Sequence, residues 1–187
     1  MLNNEKELLD EISRGDMTAF GTLMKHYSQG VYTLVVRIVG DDCDAEELAQ
    51  DVWMKVYKQL SMFSGRSAFS TWLYRIAYNT AISHTRRKRQ NNISLDERKL
   101  AAVSEQELEQ MEGDNSEHNI EALTAAIEQL EPQERALVTL HYYEGRSLAE
   151  CAEITGQSEG ATKVRMYRIR KKLYLLITNN DYEQQSR

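Results

Sequence analysis

The chain is short of the residues that most often carry covalent bracing, metal binding or catalysis. Two cysteines, Cys43 and Cys151, occur in 187 residues, far apart and without a CxxC partner, so neither a disulfide framework nor a zinc ribbon is expected. The four histidines (His26, His84, His118, His141) make no HxxxH or HExxH spacing, and no GxxxxGK, GxGxxG or GxSxG loop is present. The usual metal, phosphate-cradling and nucleophile signatures are thus missing, and no cofactor, metal or enzymatic activity is expected. The longest apolar run, VYTLVVRIV at 31–39, is short and broken by Arg37. That is too little to cross a bilayer. The opening MLNNEKELLDE is acidic and lacks the basic-then-apolar order of a signal peptide, which makes a cytoplasmic protein the expectation.

Proline is also scarce, with one residue in the chain, and period-two alternation is nearly absent. Apolar residues recur every three and four positions instead, the spacing of amphipathic helices, so the fold class is all-α. A first helix is expected over roughly Asn4 to Ser13, broken by Gly15-Asp16. A second runs from Met17 to Val39 with Asp16 as N-cap and Gly40 as C-cap. A third covers 44–60 and opens on Asp44, with acids in its first turn facing the positive end of the helix dipole. The stretch SMFSGRS at 61–67 is read as a loop before a fourth helix at about 69–86. From about Asn91 to Asn119 the periodicity fades and acids dominate, as in an extended or disordered linker. Order resumes near Ile120, and Pro132 sits where a helix-initiating proline is favoured.

The net charge of -6 conceals a patterned distribution. Residues 1–64 carry 6 Lys/Arg against 11 Asp/Glu, residues 65–90 carry 6 against 0, residues 91–131 carry 2 against 11, and residues 132–187 carry 9 against 7. Two basic patches flank an acidic stretch, which suits local contact with a polyanion.

The second basic patch has recognisable architecture. In SLAECAEITGQSEGATKVRMYRIRKKL (147–173), Ser147 and Ser158 can each cap a helix, and TGQS with Gly156 makes a short turn between them. This is the spacing of a helix-turn-helix, whose second helix enters the DNA major groove by its N-terminal end. At about 100° per residue, Thr162, Met166, Ile169, Leu173 and Leu176 share one face, while Val164, Arg165, Tyr167, Arg168, Lys171 and Lys172 point away. Cys151 falls on the apolar side of its helix and reads as a buried, inert thiol.

The first basic patch is stranger. STWLYRIAYNTAISHTRRKRQ (70–90) places Phe69, Trp72, Leu73, Ile76, Ala77 and Thr80 on one face, and Tyr74, Tyr78 and Ile82 on the other beside Thr71, Arg75 and Arg86, with Asn79 at the margin. Trp72 reads as core. Tyr74 and Tyr78 either pack against the second or third helix or form a ridge on which unstacked bases lie. Each stacked base contributes about 1–3 kcal/mol. A duplex reader at one end and a single-strand reader at the other describe a protein that recognises DNA as it opens.

These residues resemble bacterial sigma factors of the extracytoplasmic function (ECF, group IV) class. The resemblance rests on GDMTAFGTLMKHY, DAEELAQDVWMKVYKQL, FSGRSAFSTWLYRIAYNTAISHTRRKR and LEPQERALVTLHYYEGRSLAECAEITGQSEGATKVRMYRIRKKL, in the family's order. It implies two small helical domains: a sigma region 2-like four-helix domain at 1–90, an acidic flexible linker at 91–118, and a sigma region 4-like helix-turn-helix domain at 119–187. It implies core polymerase binding through the β′ clamp helices by Glu47, Leu48, Gln50 and Asp51, and through the β flap by the second domain. Minus-ten contacts are implied for Phe63, Ser64, Gly65, Arg66, Arg75, Tyr78, Asn79 and Arg86, with a base flipped into the loop around Phe63. Minus-thirty-five contacts are implied for Lys163, Val164, Arg165, Tyr167, Arg168 and Arg170. Where the family commonly reads GTVKSR, this chain reads GATKVR, with Val164 in place of a small polar residue. The linker's Glu105, Glu107, Glu109 and Glu112 are expected to mimic a nucleic-acid backbone inside the polymerase. An anti-sigma factor, often membrane-bound in this class, is an implied partner. The alternative is a stand-alone helix-turn-helix regulator on duplex operators, which leaves residues 70–90 unexplained. A helical nucleic-acid-processing enzyme would need carboxylates near the aromatic face, and residues 65–90 contain no Asp or Glu.

Overall fold

The structure, a computed structural model, describes residues 5–87, 100, 102–108 and 117–185. Among these there are helices and no strands. The first domain contains α1 (Glu5–Ser13), α2 (Met17–Val39), α3 (Asp42–Gln59) and α4 (Phe69–Arg87), with a single 3₁₀ turn at Leu60–Met62. The second contains α5 (Glu117–Glu128), α6 (Pro132–Val138), α7 (Leu148–Thr155) and α8 (Glu159–Gln185).

The helix boundaries follow local chemistry. Asp16 stops α2 from fraying: its carboxylate accepts from the backbone N–H of Thr18 at 2.7 Å and of Ala19 at 3.3 Å, a cap that stabilises by about 1 kcal/mol. At the other end Gly40 takes the left-handed conformation (φ 76°) and returns its N–H to Val36. The third helix starts at Asp42 rather than at Asp44, because Asp41 is its cap. Asp41 accepts from the Asp44 N–H at 2.9 Å, and in the run DDCD the earlier aspartate has the extended backbone that a cap requires.

Leu23, Val31, Leu34, Val35 and Ile38 of α2 are fully buried and form the spine on which α1, α3 and α4 pack. Burial of each such side chain stabilises by about 1.5–3 kcal/mol. In the second domain α8 packs across α5, α6 and α7 through Met166, Ile169, Leu173 and Leu176, with Thr162 fully buried at its start.

Two features differ from the sequence-based expectation. First, PQERALVTLHYYEG is not one regular helix: α6 gives way at Thr139–Tyr143 to a π-helical segment, sealed by Glu144 N–H to Thr139 C=O at 3.0 Å and Arg146 N–H to Leu140 C=O at 2.9 Å. The wider turn re-aims the residues that follow it. Second, the described part of the linker is folded. Residues 105–108 make a helical turn whose Leu108 and nearby Val103 are buried, and Tyr174 of α8 donates to Glu107 at 3.0 Å. Glu109, Glu112 and most of the remaining linker lie outside the described residues. The two domains lie together, an arrangement the sequence left open: α4 lies against α7, α2 lies against α6, and the buried apolar residues of both form one cluster.

Candidate nucleic-acid interface

The helix-turn-helix is built as its sequence anticipates. Ser147 caps α7, its hydroxyl accepting from the Glu150 N–H at 3.2 Å while the Glu150 carboxylate accepts from the Ser147 N–H at 2.9 Å. The Glu150 carboxyl pays a burial penalty that would raise its pKa; the Ser147 donors and Arg146 outweigh it and hold it below the usual range. Gly156 (φ 71°) closes α7, and Ser158 accepts from Ala161 at 3.2 Å to open α8. The buried stripe of α8 leaves Lys163, Val164, Tyr167 and Arg168 exposed, with Val164 56 % accessible. These four present one basic and apolar edge of the kind that reads base edges in the major groove.

Two residues on that outward side are already engaged. Arg165 donates to Gln133 Oε1 at 2.8 Å, and Lys172 donates to both Glu134 oxygens at 2.9 and 3.1 Å. Glu134 also accepts from the Glu131 N–H at 3.1 Å, so one carboxylate caps α6 and ties it to α8. Arg170 is half-buried. A helical wheel assigns faces but cannot see that α6 presents acceptors to the basic side.

In the first domain the loop before α4 is anchored by rings. Phe63 meets Phe69 edge-on at 5.7 Å and Trp72 at 5.3 Å, while Ser64, Gly65 and Arg66 are exposed. Gly65 sits at φ 68°, a conformation that favours glycine. Arg75, Asn79 and Arg86, spaced four and seven apart, form one exposed stripe along α4. Trp72 is half-buried in the ring cluster rather than sealed in the core.

The aromatic ridge is not exposed. Tyr74 is 2 % and Tyr78 5 % accessible, both under the second domain, because α4 carries its second apolar face for α7. The Tyr74 hydroxyl donates to Glu144, and the Arg146 guanidinium lies 4.9 Å over the Tyr74 ring. Burial pushes both phenols' pKa up, with the Glu144 carboxylate adding to it at Tyr74. A helix apolar on two sides announces a second partner, but its sequence does not say whether that partner is DNA or protein.

On α3, Glu47, Gln50 and Asp51 are exposed and Leu48 is buried. Glu47 and Asp51 line a groove of about 260 Å³ with Lys55, Thr80 and His84. His84 Nε2 stands 3.2 Å from Asp44, and Lys55 donates to Thr80 at 3.0 Å. These α4 partners were not anticipated from the sequence. The other unanticipated residues are Gly30, Arg135, Glu144 and Arg146 at the domain seam; the signals were a lone glycine inside a helix pattern and a charged loop in an otherwise apolar connection.

This pairing of a capped helix-turn-helix with a four-helix domain bearing a basic stripe defines a class. Residues 23–91 match Sigma-70 region 2, and residues 120–173 match Sigma-70, region 4. The chain is 32 % identical over 180 residues to the RNA polymerase sigma-H factor of Pseudomonas aeruginosa, covering 89 % of this chain and 90 % of that one. It is 31 % identical over 178 residues to the ECF RNA polymerase sigma-E factor of Escherichia coli, covering 89 % and 91 %. The fold is similar to that of CnrH in complex with the cytosolic domain of CnrY (TM-score 0.67, 21 % identity, 95 % of this chain and 99 % of that one). It is also similar to the sigma factor RpoE in complex with the anti-sigma factor NepR from Bartonella quintana (TM-score 0.59, 20 % identity, 85 % and 96 %). The chain belongs to the ECF class of the sigma-70 family. It is a transcription initiation factor, which binds core RNA polymerase, directs it to particular promoters and assists their melting. A stand-alone operator-binding regulator is not favoured.

Proposed function

We propose that the chain divides this work between residues 1–90, which bind core polymerase and engage the minus-ten element, and residues 119–187, which bind the minus-thirty-five element, with 91–118 as the connection. The observation that carries this division is the exposed Arg75, Asn79, Arg86 stripe on α4, paired with the exposed edge of α8. The stripe holds the minus-ten strand by its backbone while the Phe63 to Arg66 loop receives a flipped base. Extrusion costs a few kcal/mol of unstacking, and the ring-anchored loop supplies a preformed seat for it. Tyr78 joins that surface once the second domain has moved away. Lys163, Val164, Arg165, Tyr167, Arg168 and Arg170 read or hold the minus-thirty-five duplex, Arg165 after exchanging Gln133 for DNA. Glu47, Gln50 and Asp51 meet the β′ clamp helices, with Leu48 beneath them as a packing residue; the second domain meets the β flap.

The protein so read catalyses nothing itself and works in the cytoplasm with the polymerase. An anti-sigma factor, membrane-bound in the form common to this class, is its regulatory partner; the relative RpoE, solved with the anti-sigma factor NepR, supports that reading. The test is transcription of fragmented bacterial genomic DNA by purified core polymerase with and without the chain, mapping 5′ ends. New starts sharing two upstream motifs at fixed spacing are expected; absence of both new starts and co-elution with core polymerase would overturn the assignment.

A further inference from the structure

Two arginines near the outward edge of α8 are treated differently by the fold. Arg168 is exposed, whereas Arg165 is half-buried, its Nη2 donating to Gln133 Oε1 at 2.8 Å. At about 100° per residue, Arg165 stands between the side of α8 that carries Val164 and the side turned to α6. Nη2 belongs to both of the paired donor edges with which a guanidinium meets two acceptors at once. The bond to Gln133 therefore occupies one of those edges and draws the group toward α6.

The backbone that carries Gln133 is pinned from both sides. Pro132 precedes it at the first position of α6, and Glu131 and Glu134 make a reciprocal capping box around it. Glu134 ties α6 to α8 through Lys172 at 2.9 Å, about two helical turns beyond Arg165. Arg135 donates to the Glu128 carbonyl at 2.9 Å and fixes the approach from α5. All these contacts lie within the second domain, so they persist however the two domains are arranged. An acceptor so placed competes with DNA for the guanidinium. Gln133 offers one neutral oxygen, while guanine offers O6 and N7 together in the major groove. DNA wins that competition only by breaking the internal bond first, and a side chain competent in a fraction of molecules contributes in proportion to that fraction.

We propose that Gln133 is a specificity-determining residue of promoter reading, a role that rests on the minus-thirty-five contact proposed above for Arg165. Gln133 competes with DNA for the Arg165 guanidinium and so sets how strongly that arginine weighs in the choice of sequence. It acts through Arg165 rather than by touching a base, and exposed Arg168 stands outside its control.

The test offers core polymerase carrying the full-length chain a pool of duplexes randomised across the minus-thirty-five element, sequences the bound fraction, and measures affinity for the winning sequence. Gln133→Leu removes the acceptor with a residue of similar size that favours helix. It is expected to bind the winning sequence about fivefold more tightly, with a sharper preference at the base pair whose selection Arg165→Ala abolishes. Gln133→Glu keeps the acceptor and charges it, which strengthens its hold on Arg165. Its added charge weakens binding to every sequence, so its readout is a flatter preference at that one base pair. In an Arg165→Ala background, Gln133→Leu should change neither affinity nor selection, a cancellation that a merely structural role would not produce. A Gln133→Leu variant that binds more weakly, gains affinity uniformly across all sequences, or leaves that base pair unchanged overturns the role of Gln133 alone. If Arg165→Ala itself leaves affinity and selection unchanged, the minus-thirty-five contact proposed for Arg165 falls, and the role of Gln133 falls with it.

Discussion

Glu134 is the residue whose removal should be felt most widely for its size. Its carboxylate completes the cap of α6 and accepts both hydrogen bonds from Lys172 of α8, and the two side chains are 14 % and 17 % exposed. Truncation in Glu134→Ala loses a reciprocal cap, about 1 kcal/mol, and a charge-assisted hydrogen bond in a site with little solvent screening, about 1.5–3 kcal/mol. A total near 3 kcal/mol lowers the melting temperature by roughly 6–12 °C for a chain of this length. Lys172→Met keeps the aliphatic stem and removes only the charge, so its loss should be about 2 kcal/mol. In urea unfolding the double variant should fall short of the sum of the singles by about 1.5 kcal/mol, the signature of direct coupling. Additive losses, or a Glu134→Ala melting temperature within about 1 °C of the parent, would refute the reasoning and reduce the pair to a solvated surface contact.

Alkaline titration gives a second expectation. Burial raises the pKa of the Cys151 thiol to about 11 and pushes the Tyr27, Tyr74 and Tyr78 phenols up. The fold therefore prefers their protonated forms, and their contribution is full below the unfolded values and lost as pH rises through the folded ones. The melting temperature should begin to fall above about pH 8.5, and Cys151→Ala should remove the earliest part of that decline; a profile flat to pH 11 in the parent would contradict it. At pH 8 a thiol reagent should modify exposed Cys43 quickly and leave buried Cys151 untouched; equal rates would place Cys151 at the surface. Val164→Ser, at a 56 % exposed position, should leave stability within about 0.5 kcal/mol while changing which minus-thirty-five sequences are selected from a randomised pool. An unchanged selection would remove Val164 from the reading edge. Gly156→Ala, forced into the left-handed backbone at φ 71°, should destabilise the helix-turn-helix by about 1–2 kcal/mol in thermal unfolding; no loss would mean that the turn tolerates a side chain there.

What the sequence determined by itself was everything that depends on neighbours a few residues away. The all-α class follows from the three-and-four spacing. The ends of α2 follow from Asp16 and Gly40, and the helix-turn-helix from Ser147, Gly156 and Ser158, because caps and turns are made by side chains bonding to the backbone beside them. The inward stripe of α8 is likewise local, set by helical periodicity alone.

The tertiary structure decided what each leftover face is for. The second apolar face of α4 was legible as a face, and its occupant was not: Tyr74 and Tyr78 pack under α7 rather than meeting solvent. Arg165 and Lys172 looked equivalent to Arg168 on the wheel, but Gln133 and Glu134 claim the first two and leave Arg168 exposed. The π-helical segment at Thr139–Tyr143 has no periodicity signal of its own and is visible only through the Glu144 to Thr139 and Arg146 to Leu140 bonds. Gly30 shows the division most clearly. Read along the chain it is a weak point in a helix, whereas in the folded protein it is the one residue small enough to let the Tyr74 hydroxyl and Glu144 meet against α2. Local chemistry sets the form of each helix, but contacts between residues distant in the chain, from 32 positions apart (Arg165 to Gln133) to 76 (Arg146 to Ser70), decide which surfaces remain free.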